Sequence, residues 1–177
     1  AAAAVAGDVV LAYTLYARTG LGPREPIVVV GGSPISRFLI EILLAKGITP
    51  TAVAAPGPWA DWLLGKHVVV AHDRRTLTAA LAAQSLGTKP WRVICGAPAA
   101  IPDAVALAGP RSTLTLLASA APQPISVEVI AREVTIIGDA GATPDLVVEA
   151  AAMCVKGEID LAGALEDELR GRQGRDL

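Results

Sequence analysis

Apolar residues in this chain follow two alternating rhythms. Short unbroken runs, such as Ile27-Val28-Val29-Val30 and Val68-Val69-Val70-Ala71, are rich in β-branched residues. Between them lie longer stretches in which apolar residues recur at intervals of three and four. The first rhythm predicts strands buried on both faces of a parallel sheet, and the second predicts helices with one buried face. Residues 1–18 read as a helix with Val5, Val9, Leu11, Ala12 and Leu15 on its apolar face, ended by Gly20, Gly22 and Pro23. A strand at 26–30 runs into Gly31-Gly32, and a helix opens at Pro34, buries Phe38, Leu39, Ile42 and Leu43, and closes at Gly47. A second strand at 51–55 leads through Pro56-Gly57-Pro58 to a short helix carrying Trp59, Trp62, Leu63 and Leu64. The third strand is 67–71, and Asp73 caps a helix over 74–86.

The fourth strand, 91–95, ends at Gly96; a helix at 99–108 and a fifth strand at 112–118 follow. A Pro-containing loop at 121–124 leads to Ile125-Ser126-Val127, then to a sixth strand at 133–137. Helix 143–155 places Leu146, Val147, Ala150, Ala151 and Cys154 on one side. A charged helical pattern at 161–170 gives way to a Gly/Arg tail, 171–177, expected to fray. Six strands alternating with helices predict one α/β domain over 1–170, a doubly wound parallel sheet in the order 3-2-1-4-5-6. Ligands in such sheets bind beyond the carboxyl ends of the strands, at the switch point. That rule gathers Gly31–Ser36, Gly96-Ala97 and Ala118-Ser119 around one crevice.

Composition narrows the function classes. The 177 residues are 53% hydrophobic but only 3% aromatic, so the core is built from small aliphatic side chains. A net charge of -2 offers no basic footprint for nucleic acid. The two cysteines, Cys95 and Cys154, lie in apolar runs and are expected to be reduced, buried thiols of a cytoplasmic protein. No apolar run reaches membrane-spanning length, and the Ala-rich start lacks a basic segment and contains Asp8, unlike a signal peptide.

The strand-to-helix turn at Gly31 carries the candidate chemistry. Backbone N–H groups at such a turn converge on one point and favour a phosphate. In the dinucleotide fingerprint G-x-G-x-x-G, the three glycine positions read Gly31, Ser33 and Ser36 here. Ser33 adds a Cβ where backbone meets pyrophosphate, though its hydroxyl is free in principle to donate to phosphate; removing it is expected to tighten binding. Ser36 adds bulk where helix and strand pack. The second strand ends in Ala54-Ala55-Pro56, without the acid that holds a ribose or an arginine for a ribose phosphate. Arg74 and Arg75 read as a solvated helix start, and Asp61 and Lys66 as surface charge.

Four segments, in this order and spacing, resemble the medium-chain dehydrogenase/reductase family of zinc-type alcohol and polyol dehydrogenases. They are Ala12-Tyr13-Thr14-Leu15-Tyr16-Ala17-Arg18-Thr19-Gly20-Leu21, Gly31-Gly32-Ser33-Pro34-Ile35-Ser36, Ala131-Arg132-Glu133-Val134-Thr135-Ile136-Ile137-Gly138 and Lys156-Gly157-Glu158-Ile159-Asp160. The resemblance spans about residues 7–162 and implies the Rossmann cofactor domain of that family. It implies weak NAD or NADP binding by Gly31, Gly32, Ser33, Pro34, Ile35 and Ser36, with Ala55, Gly96, Ala97, Ala118 and Ser119 around the same crevice. It also implies that a GroES-like catalytic domain, holding most zinc ligands, precedes the region this chain represents. The family's zinc-ligand Glu aligns with Gly7 and its alcohol-type Cys falls near Ala4–Ala6, so no zinc is expected in this chain; His67 and His72 are its only histidines. Two functions follow as expectations. One is the NAD(P)-binding half of an oxidoreductase transferring hydride, inactive without a catalytic domain or subunit. The other is a degenerate dehydrogenase-like fold serving as a non-catalytic dimerisation or binding module. In either case the family's sheet edge implies a homodimer through Glu133–Ile137.

Overall fold

The β-branched run Ile27–Val30 forms β1, the second half of a helix–strand pair that begins with α1, Ala2–Thr19. In this computed structural model, residues 2–21, 25–84, 91–116, 127–138 and 141–166 are described. The remaining elements are α2 (Pro34–Ala45), β2 (Thr51–Val53), α3 (Pro58–Gly65), β3 (Val69–Ala71), α4 (Arg74–Ala83) and β4 (Arg92–Cys95), followed by a 3-10 turn at Pro98–Ala100. Then come α5 (Ile101–Leu107), β5 (Thr113–Leu116), α6 (Val127–Ala131), β6 (Thr135–Gly138) and α7 (Pro144–Val155). The six strands form one parallel sheet in the order 3-2-1-4-5-6, as the alternation of elements predicts. Val29 lies opposite Ala52 on one side and Ile94 on the other.

Period-two alternation splits the core in two. Ile27, Val29 and Ile94 face α1, α2 and α7, together with Phe38, Leu39 and Ile42. Val28, Val30, Val93, Cys95 and Leu114 face α4 and α5, with Leu77, Leu81 and Ala104. Both faces of β1 are therefore covered, which is why its sequence is apolar without interruption. Among the described residues no helix is long and apolar enough to cross a membrane.

Two strands begin later than their sequence suggests, for one shared reason. The apolar pattern assigns 67–68 to β3, yet His67 has a φ of 58° and ends α3. Its N–H bonds the carbonyl of Leu64, and the N–H of Val68 bonds that of Leu63, at 3.0 Å each. This is a Schellman cap, with a left-handed residue just past the helix. Glu133 (φ 55°) does the same for α6, a five-residue helix with no sequence signal of its own. Glu133 and Val134 therefore close a helix, and β6 runs from Thr135. β2 ends at Val53, so Ala54 and Ala55 lie beyond it. The expected strand residues 117–118, the 121–126 loop and the tail from 167 lie outside the described residues. A left-handed conformation costs an L-residue about 1–2 kcal/mol. Exposed His67 replaced by Gly should therefore raise unfolding stability by about 0.5–1 kcal/mol, read by urea denaturation.

The Lys156–Asp160 segment is pinned to α2 by a buried acid. Glu41 has a side chain only 4% exposed, and its Oε2 accepts the N–H of Asp160 at 3.0 Å. Arg37 and Lys66 stand 3.7 and 3.9 Å from Oε1. Burial pushes the Glu41 carboxyl above its usual range, and these partners only partly offset it. A raised folded-state value means that the group's stabilising contribution is complete below the ordinary carboxylate range and is lost as pH rises through the raised value. Glu41→Gln keeps an acceptor for Asp160 and removes the charge. Its stability relative to the parent should rise between pH 4 and 7 in chemical denaturation, and a constant difference would contradict this reading.

Candidate functional site

At the end of β1 the chain must reverse from strand into helix within three residues. Gly31 takes the turn at a φ of 91°. A Cβ at Gly31 would stand 2.8 Å from the Ala100 methyl and 2.9 Å from the Ala97 methyl. The position therefore needs glycine twice, for its backbone angle and for the space that the β4–α5 connection fills. Gly32 needs it for a different reason: the Trp59 indole lies against it, with Cγ and Cδ1 3.0 Å from where a Cβ would be. Trp59 in turn stacks on Trp62, ring centres 5.1 Å apart and planes 10° from parallel. Arg37 and Lys66 flank Trp62, 5.4 and 5.6 Å from a ring centre.

The two serines that replace fingerprint glycines turn inward. Ser33 is the N-cap of α2, in extended backbone. Its Oγ accepts the N–H of Ser36 at 3.1 Å and donates to the carbonyl of Gly96 at 2.9 Å. With that hydrogen committed, the 3.1 Å contact between the two hydroxyls has Ser36 donating to Ser33. The Ser33 hydroxyl thus makes three bonds and has no donor left for a phosphate, contrary to the option open in the sequence. Taking its side chain away removes a helix cap rather than an obstruction, so the expected gain from Ser33→Gly has no basis in this geometry. Fully buried Ser36 is accommodated by Gly96, where a Cβ would stand 2.7 Å from Ser36 Oγ. The closeness that a third glycine would give α2 is supplied from β4 instead.

The remaining site residues divide. Gly31, Gly32 and Ala55 line a crevice of about 520 Å³ beyond the carboxyl ends of β1 and β2, and Ala97 underlies Gly31. Exposed Pro34 opens α2, whereas the Ile35 side chain is buried in the core and only its backbone faces the turn. Ala118 and Ser119 lie outside the described residues. The same crevice has a wall that the strand pattern does not assign to it: Trp59, His72, Asp73, Arg74 and Asp103. His72 follows β3, and its Nδ1–H donates to the carbonyl of Ala54 at 2.8 Å. Arg74 Nη1 reaches from the start of α4 to the Ala106 carbonyl on α5 at 3.1 Å. It is solvated, as its position at a helix start suggests, yet it also forms part of the crevice wall. Asp73 caps α4: its Oδ1 accepts the Thr76 N–H at 2.7 Å and hydroxyl at 2.8 Å, which hold its carboxyl below the usual range.

Neither cysteine is poised for reaction. Cys95 is buried, donates to the Ala97 carbonyl at 3.1 Å, and has its thiol pushed up by burial. Cys154 is half-buried and likewise raised. Lys66, expected as plain surface charge, instead joins Glu41 to the tryptophan stack, while Asp61 is exposed. Among the described residues, no three His, Cys, Asp or Glu side chains converge on a metal position.

No family model matches the sequence, and no curated protein matches it. Solved structures do. The chain superimposes on an alcohol dehydrogenase of Escherichia coli CFT073 complexed with NADH at a TM-score of 0.68 and 17% identity, covering 89% of this chain and 48% of that one. Galactitol-1-phosphate dehydrogenase from Escherichia coli gives a TM-score of 0.71 at 14% identity, covering 88% and 49%. An alcohol dehydrogenase from Thermus sp. ATN1 gives 0.69 at 14% identity, covering 94% and 54%. The open α/β fold is thus shared with alcohol and polyol dehydrogenases, and this chain spans about half their length.

Proposed function

We propose that this chain is the dinucleotide-binding half of an alcohol- or polyol-dehydrogenase-like oxidoreductase that uses NAD or NADP. The observation that carries the reading is Gly31: a positive-φ turn at the end of the central strand, opening on a crevice at the sheet's switch point. The site fits the group in its backbone. Pro34 has no N–H and that of Ser36 is spent on Ser33, so a phosphate at the head of α2 would rest on the N–H groups of Gly32, Ser33 and Ile35. The adenosine end would lie along Ala54, Ala55 and Trp59. A nicotinamide dinucleotide, when bound, supplies the hydride donor or acceptor. This chain binds and orients it, and the substrate, its acid–base groups and any zinc belong to another segment or chain; the double length of the fold's relatives supports that division.

Binding should be weak. Without a ribose carboxylate at the end of β2, the loss is about 1.5–3 kcal/mol, on the order of ten- to a hundredfold in affinity. Calorimetric titration with NADH and NADPH tests the reading: saturable binding in the micromolar to millimolar range supports it, and no binding of either at millimolar concentration overturns it. The second reading, a non-catalytic module, draws on Trp59, whose ring lies on Gly32 where backbone would otherwise meet pyrophosphate.

We also propose a homodimer through the β6 edge. Ile136 is 37% exposed there, and neighbouring Val127 and Ile130 on α6 are 79% and 69% exposed. An apolar edge strand left open invites pairing with its own copy about a two-fold axis. Sedimentation at tens of micromolar should give a dimer, and Ile136→Lys should give a monomer. A monomeric parent chain would overturn the proposal.

A further inference from the structure

The wall of the crevice around Ala54 and Ala55 has a composition that bears on which dinucleotide it takes. The first two residues beyond β2 carry only methyl groups, so no side chain there accepts a hydrogen bond from a ribose hydroxyl. One side chain is fixed to that point from the next strand over. β3 pairs with β2, and His72, just past β3, is fixed to the Ala54 carbonyl through Nδ1 at 2.8 Å. That bond leaves Nε2 as its uncommitted ring atom. Two residues on, Arg74 lines the same crevice, its guanidinium held in place by the Ala106 carbonyl at 3.1 Å. One N–H is used, and a guanidinium has five.

Two backbone N–H groups just before α4 are already spent. The N–H groups of His72 and Asp73 both donate to Thr76 Oγ1, at 2.9 and 3.0 Å. Asp73 carries its negative charge on this rim, with Oδ1 bonded to Thr76. Asp103 stands on the α5 side, exposed. Arg74 is thus rooted on the turn beside the end of β2, and its guanidinium reaches to α5, the helix that also carries Asp103.

We infer that the crevice selects a dinucleotide whose adenosine ribose carries a phosphate, NADP rather than NAD, with Arg74 on the β3–α4 turn receiving that phosphate. The inference rests on the dinucleotide reading proposed above. A ribose phosphate turns the missing β2 acid from a loss into a requirement, because a carboxylate at Ala54 or Ala55 would repel it. A guanidinium is suited to phosphate because its planar fork of donors matches the phosphate oxygens.

The test is calorimetric titration of the whole 177-residue chain with NADPH and NADH at low salt. The variants are Arg74→Gln, Arg74→Lys and Asp103→Asn, with thermal unfolding of each as a check on the fold. NADPH should bind the parent about tenfold or more tightly than NADH, the return expected of a charge-assisted contact. Arg74→Gln should bring the affinity ratio close to one, Arg74→Lys should retain part of it, and Asp103→Asn should raise it. Equal binding of the two by the parent, or a ratio unmoved in folded Arg74→Gln, overturns the selectivity while leaving the dinucleotide reading standing. Loss of NADH binding in Asp103→Asn also overturns it, by showing that the ribose hydroxyls are held from α5. Failure of both dinucleotides at millimolar concentration overturns the selectivity and the underlying reading together.

Discussion

Gly31→Val should abolish dinucleotide binding and lower the stability of the domain by on the order of 3 kcal/mol. Two costs combine at one atom. The φ of 91° lies where a β-branched residue is strained, worth about 1–3 kcal/mol. The new Cβ would also meet the Ala97 and Ala100 methyls at 2.9 and 2.8 Å. Neither neighbour can rotate away, since each contact is a methyl fixed to the backbone. Relief requires the β4–α5 connection to move off the turn, and that displaces the floor of the crevice. A comparison separates the two costs. Gly47 also has a positive φ, 72°, but nothing stands within 4 Å of its would-be Cβ. Gly47→Ala should therefore cost only the backbone term, about 1 kcal/mol, and leave binding intact. Denaturation and titration of the two variants side by side provide the check. If Gly31→Val loses no more stability than Gly47→Ala, the packing described around the turn is wrong.

The second large effect is expected at Gly96, and it should be reversible. Gly96→Ala places a methyl 2.7 Å from Ser36 Oγ and 3.2 Å from the Ser36 N–H nitrogen. The serine side chain has little freedom to yield, because it is fully buried and bonded to Ser33. Separating α2 from β4 also breaks the 2.9 Å bond from Ser33 to the Gly96 carbonyl. A loss of about 2–3 kcal/mol is expected from overpacking and the broken bond. Ser36→Gly in the same chain removes the obstructing hydroxyl and leaves room for the introduced methyl. The double variant should then be more stable than Gly96→Ala alone, by about 1 kcal/mol or more, even though glycine inside a helix is itself unfavourable. Additive destabilisation by the two changes would show that α2 and β4 are not in the contact described.

This exchange explains why the fold can be read from the sequence while part of the site cannot. The sheet order follows from alternating apolar rhythms, which report burial directly. The turn is equally legible, since Gly-Gly after four apolar strand residues has few other uses. The serines are harder. A fingerprint read by position treats Ser33 and Ser36 as losses, because the partner that accommodates them, Gly96, is 63 residues from Ser33. The crevice wall escapes the sequence for a related reason. His72 and Arg74 look like an ordinary capped helix start, and Asp73 with Thr76 does form one. That the turn faces the end of β2 is a property of strand pairing, not of local sequence. His67 and Glu133 read as strand because helix ends of this kind favour glycine, and neither residue announces a left-handed cap.

The central claim is that a dinucleotide binds across the Gly31 turn, and backbone amide resonances report it most directly. A 15N correlation spectrum of the isotope-labelled chain, recorded with increasing NADPH, should show saturable shifts. The shifts should concentrate at Gly31, Gly32, Ser33, Ile35, Ala55 and Ala97, with the Trp59 indole N–H moving alongside them. Amides of α1 and α7, on the far side of the core from the crevice, should stay in place. Absence of shifts at millimolar NADPH, or saturable shifts confined to α1 and α7, would contradict the assignment of this turn as a dinucleotide site.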